Sequence, residues 1–167
     1  MAQKRVLDPV DRVSEVIFGV LMAMTFIGAV SVGSEDLEVR TALAAALGCN
    51  VAWGLVDGIM YVVAQLTQRT REQSPQGKRA RLGGDDWRGA FEVFLLVTAS
   101  TFPLVVPFLI FDRLAPALLG SRLVALVMLF LGGWLLARYA GGNRWLAGAG
   151  MSAVGALLVG ALMALGG

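Results

Sequence analysis

Apolar runs separated by short polar stretches dominate the chain of 167 residues. A membrane-spanning helix needs about 20 mostly apolar residues. Five runs fit that need, at about 16–33, 41–66, 90–111, 123–140 and 145–165. Backbone groups in hydrocarbon must be paired internally, so such runs are expected to be helices. The short alternating segments of a membrane barrel do not occur. The pattern therefore predicts an all-α integral membrane protein, a bundle of five transmembrane helices in a single domain spanning 1–167. The first run follows Lys4 and Arg5, as a signal peptide would. However, Asp8, Asp11 and Glu15 precede it and no small-x-small cleavage site follows, so it is read as a retained helix.

Basic residues orient the bundle. Eleven of the 14 lie on one side of the five runs: Lys4, Arg5 and Arg12; Arg69, Arg71, Lys78, Arg79, Arg81 and Arg88; Arg138 and Arg144. Arg40, Arg113 and Arg122 lie on the other. The positive-inside rule then places the N-terminus in the cytoplasm and the C-terminus outside. Trp87, Tyr139 and Trp145 fall at the inner boundary, where an aromatic belt is expected. The basic stretch 67–89 reads as a cytoplasmic loop close to anionic headgroups. A bacterial inner (plasma) membrane suits the small size.

Composition narrows the chemistry. The chain is 57% hydrophobic and 16% charged, with a net charge of only +2, so nucleic acid is not an expected partner. Cys49 is the lone cysteine, which leaves no internal disulfide. There is no histidine, which removes the usual general base and the commonest metal ligand. No nucleophile–base pair or phosphate-binding loop stands out. Neither enzymatic activity nor a permanently bound cofactor is expected.

Ionisable residues inside membrane helices mark function, because each costs roughly 2.5–3.5 kcal/mol even on lenient insertion scales. Asp57 sits well inside the second run and requires a partner, a proton, a cation or water. Helical spacing brings Asn50, Gly54, Asp57 and Tyr61 onto one face. Glu15 opens the first run, with Ser14 or Asp11 as candidate N-caps. Met22 shares the face of Glu15, and Met60 lies one turn from Asp57, so thioethers could join the carboxylates around a divalent ion. Glu92 near the inner end of the third run completes the candidate metal set of Glu15, Asp57, Met22, Met60, Asn50 and Glu92. The third run also carries Pro103 and Pro107, which free backbone carbonyls that Thr98, Ser100 and Thr101 can re-satisfy. The fifth run places Gly148, Ser152, Ala156, Gly160 and Ala164 at four-residue spacing, a small-residue ridge suited to close helix contact within or between subunits.

Two stretches, SEVIFGVLMAMTFIGAVSV and VAWGLVDGIMYVVAQLTQR, resemble the first and second helices of the vacuolar iron transporter family. That resemblance implies five helices, a cytoplasmic N-terminus, a homodimer and exchange of ferrous iron or manganese for protons. The chain departs from the family pattern at Ser14-Glu15, where an Asp-Gly is usual, and at Asp57, where a methionine is usual. A short basic loop with Glu72, Asp85 and Asp86 takes the place of the acidic metal-collecting domain of the plant members. The expectation is a divalent-metal transporter in which Glu15 and Asp57 bind the cation or carry the proton. The alternative is a non-transporting assembly or accessory subunit, whose intramembrane polar groups merely bond to other helices.

Overall fold

The computed structural model describes residues 7–33, 39–73 and 81–166. These form six helices: α1 (Pro9–Gly33), α2 (Val39–Gln73), α3 (Gly84–Ala99), α4 (Phe102–Ile110), α5 (Leu114–Ala140) and α6 (Arg144–Gly166). No strand occurs among the described residues. Among the described residues, four stretches are long and apolar enough to cross a membrane: Leu43–Glu72, Gly84–Ile110, Leu114–Ala140 and Arg144–Ala164. In α1 the charged groups Asp11, Arg12 and Glu15 occupy the first two turns, and an uncharged apolar stretch follows them to Gly33.

The helices outrun the apolar blocks because an apolar run marks the depth of hydrocarbon, whereas a helix ends where its backbone is capped. α1 begins at the Asp8-Pro9 pair rather than at Asp11 or Ser14. The Asp8 carboxylate accepts from Val10 N at 3.1 Å, and Pro9 occupies the first helical position, where no N–H is needed. α2 runs on through a polar end in which Thr67 and Thr70 donate to the carbonyls of Val63 and Leu66. At the start of α3, Gly83 N donates to the Asp86 carboxylate at 2.6 Å. α5 closes on Gly141, whose φ of 83° is a left-handed cap, and Asn143 caps α6 by accepting from Trp145 N and Leu146 N. The expected third span is two helices, α3 and α4, joined at Ser100–Thr101. Pro103 has no N–H to continue the ladder, and the Ser100 hydroxyl donates to Val97 O at 2.7 Å.

α1 occupies the centre and touches every other helix. α2 pairs with α3 on one flank, and α5 pairs with α6 on the other. Ile17, Val20, Ala23, Met24 and Ile27 of α1 form the core with Leu104 and Phe108 of α4 and Ala125 and Leu129 of α5. The start of α1, the end of α2 and the start of α3 share one end of the bundle, tied by the Arg12–Glu92 and Arg69–Asp86 ion pairs. The end of α5 joins them, since Gly132 packs on Ile17. Seven of the ten described basic residues gather there: Arg12, Arg69, Arg71, Arg81, Arg88, Arg138 and Arg144. Trp87, Tyr139 and Trp145 stand exposed at the same end.

The small-residue ridge of α6 divides. Gly148 is buried against Phe130, and the Ser152 hydroxyl donates to Leu126 O at 2.9 Å. Gly155, not Ala156, continues the contact, packing on Leu129 and Met24. Ala156 and Gly160 are exposed. Each four-residue step overshoots a helical turn by about 40°, so the ridge winds from the inside of the bundle to its surface.

Candidate functional site

The polar groups of the bundle collect along the seam where α1, α2 and α3 meet. Small residues let the backbones approach. A Cβ on Gly19 of α1 would lie 2.8 Å from Val97 O of α3, and one on Gly54 of α2 would lie 3.0 Å from Phe94 O. Such approaches exclude any side chain but hydrogen. They also fix the levels: Gly54 of α2 faces Phe94 and Thr98, and Gly58 faces Ala90. Asp57 therefore stands level with the Ala90–Phe94 turn of α3, which carries Glu92.

At the inner part of the seam, Asn50 is fully buried. Its amide points at Gly19 O (3.2 Å), Val97 O (3.4 Å) and the Thr101 hydroxyl, so two N–H hydrogens serve three acceptors on α1, α3 and the α3–α4 joint. Moving toward the basic end, Asp57 and Glu15 are both half-buried, and the Glu15 carboxylate lies within electrostatic range of Asp57 and Asp11. Asp57 Oδ2, Asn50 Oδ1 and Thr98 Oγ1 are buried and lack a protein hydrogen-bond partner. Buried polar atoms normally find a partner, so three orphans along one seam mark a place suited to a guest that brings positive charge or donors.

Nearer the end of the bundle, Arg12 of α1 forms an ion pair with Glu92 of α3. Beyond it, Arg69 grips the buried carboxylate of Asp86 with two N–H groups at 2.8 and 2.6 Å, and donates to Arg81 O at 3.0 Å. This bidentate clamp fastens α2 to the start of α3.

The candidate residues thus occupy different settings. Glu15 and Asp57 come together. Asn50 shares their seam but is engaged in binding three segments to one another. Glu92 is held by Arg12. Met22 is half-buried on α1, whereas Met60 is 56% exposed on α2. Among the described residues, no three Asp, Glu, Cys or His side chains converge on one point. Two arginines carry more than the sequence reading assigned them. Arg12, by sequence a topological charge alone, forms an ion pair with Glu92 of α3. Arg122, which the run 123–140 leaves outside the fourth span, lies two turns inside α5 and is half-buried. The signal was present in LLGSRLVALV, a single cation flanked by apolar residues on both sides.

On the outer face of α2 and α3 runs an apolar groove of about 400 Å³, lined by Leu55, Ile59, Val62, Trp87, Phe91 and Phe94. Its lining holds no titratable group. No family model, curated protein or solved structure matches this chain.

Proposed function

We propose that this protein moves a divalent cation, ferrous iron or manganese, across a membrane in exchange for protons, through the seam between α1, α2 and α3. The observation that carries the reading is the half-buried pair Glu15 and Asp57, with Asp57 Oδ2 unpartnered within the protein. Two carboxylates in poorly solvated surroundings repel each other and attract a counter-charge. Hard divalent ions prefer oxygen ligands, and the Thr98 hydroxyl and Asn50 carbonyl oxygen extend the same line of oxygens. The reading takes α1 as a fifth membrane-crossing element with a cytoplasmic start and places the arginine-rich end of the bundle in the cytoplasm. It also takes the working unit to be a homodimer in a bacterial plasma membrane, with further ligands supplied by water.

The test is manganese flux into liposomes holding the purified protein, paired with melting curves in detergent with and without manganese. Wild type is expected to carry manganese and to melt higher in its presence, because a ligand stabilises the state that binds it. Asp57→Asn should retain the fold and lose both effects, since the charge itself is the ligand. If wild type shows neither flux nor a metal-dependent shift, the transport reading falls, and a non-transporting accessory subunit replaces it.

A further inference from the structure

Glu15 lies within electrostatic range of Asp57, and one turn before Glu15 on α1 a cation, Arg12, is paired with Glu92 of α3. Arg12 lies three residues before Glu15 on α1, on the same helical face. Its guanidinium reaches across to Glu92 on α3, with 37% of the side chain exposed. Its Nε is buried and makes no hydrogen bond. The other charges near this level are Asp11 of α1, whose field also reaches Glu15, and the Arg69–Asp86 clamp, which is already closed on itself. A guanidinium stays charged at any physiological pH, and its long stem lets it change partner without leaving its helix.

Resting on the transport reading above, we infer that Arg12 is a tethered competitor of the transported cation, and that Glu92 holds it away from Glu15 and Asp57. The two roles have opposite signs. Arg12 opposes a divalent ion entering the carboxylate pair, because a fixed positive charge within a few turns repels it through a medium less polar than water. Glu92 favours entry by neutralising Arg12 and drawing it toward α3. When Arg12 swings to Glu15, the site is filled by the protein's own cation. When it returns to Glu92, the site is open. The device would set a threshold for loading from the cytoplasmic side without a separate gate.

Manganese flux in liposomes reads the proposal through KM, with manganese-dependent melting as a second measure. Arg12→Gln is expected to lower KM about tenfold. Arg12→Lys, which keeps the charge, should remain close to wild type. Glu92→Gln is expected to raise KM, because Arg12 is then free to occupy the carboxylate pair. The double variant should behave as Arg12→Gln alone. A purely structural ion pair would make both single variants worse in the same direction. An unchanged or raised KM for Arg12→Gln overturns the proposal while leaving transport in place. So does a Glu92→Gln defect that persists in the double variant, which would make Glu92 a direct ligand. If Arg12→Gln fails to fold, the comparison of Glu92→Gln with the double variant still decides the matter. If wild type moves no manganese while melting normally, the transport reading fails first and this inference with it.

Discussion

Asn50 shows what one polar side chain does inside this bundle. It joins Gly19 of α1, Val97 of α3 and Thr101 at the α3–α4 joint. Interhelical hydrogen bonds in membranes average about 0.6 kcal/mol and reach about 1.7. Asn50→Ala also leaves a small cavity, so a loss of about 2–3 kcal/mol is expected. It should appear as a lower melting temperature in detergent, and a melting temperature equal to wild type would refute the tie. At this scale the sequence was informative where a polar residue interrupted an apolar run, as at Asn50 and Asp57. It was uninformative where a residue's role depends on a partner far along the chain. Nothing local distinguishes Arg12 from a topological charge, because Glu92 lies 80 residues on. Nor does a position one turn from Asp57 put Met60 in the site, since a residue three positions on falls beside the Asn50–Asp57–Tyr61 face, and Met60 is exposed.

For the helices themselves, the apolar blocks located every long element but misjudged the ends. The charged first turns of α1 are helical because its cap lies further out, at Asp8, and α2 continues through its charged turns to Gln73. The division of the third block into α3 and α4 was half legible. Pro103 and Pro107 marked it, but where the chain breaks depends on the Ser100 and Thr101 groups that take over the lost bonds. The ridge of α6 gives a clean contrast between helix faces. A Cβ on Gly148 would meet Phe130 O at 2.9 Å, whereas one on Gly160 would meet nothing within 4 Å. Gly148→Leu should therefore force α5 and α6 apart, at a cost of about 1–3 kcal/mol measured by detergent unfolding. Gly160→Leu should leave the monomer as stable as before. Any effect of Gly160→Leu on size-exclusion mass would then report a contact between subunits, because none exists within one. Equal destabilisation by the two substitutions would contradict the described packing.

The whole molecule is arranged around α1, with the α2–α3 pair and the α5–α6 pair on either flank. That antiparallel arrangement puts Gln73 at the arginine-rich end and Asp112 at the other. In a background with Cys49→Ala, single cysteines at these two positions should react with an impermeant thiol reagent from opposite sides of the membrane, Gln73 from the cytoplasm. Labelling of both from one side would remove the proposed topology. The central place of α1 also bears on the order in which surfaces are covered during synthesis. α1 leaves the ribosome before the helices that follow it, yet Met24 and Gly28 also pack against Gly155 and Leu162 of α6. α1 is thus not fully enclosed until α6 has been made. In water, so long a wait with bare apolar surface would invite aggregation. If α1 crosses the bilayer, as the transport proposal takes it to, the lipid tails are as apolar as the missing helices, and α1 can stand unaccompanied at little cost until they arrive. Its charged groups, Asp11, Arg12 and Glu15, lie in its first two turns, where headgroups and water can attend them in the meantime. Temporal order and spatial order run opposite in this chain, and the solvent makes the inversion harmless.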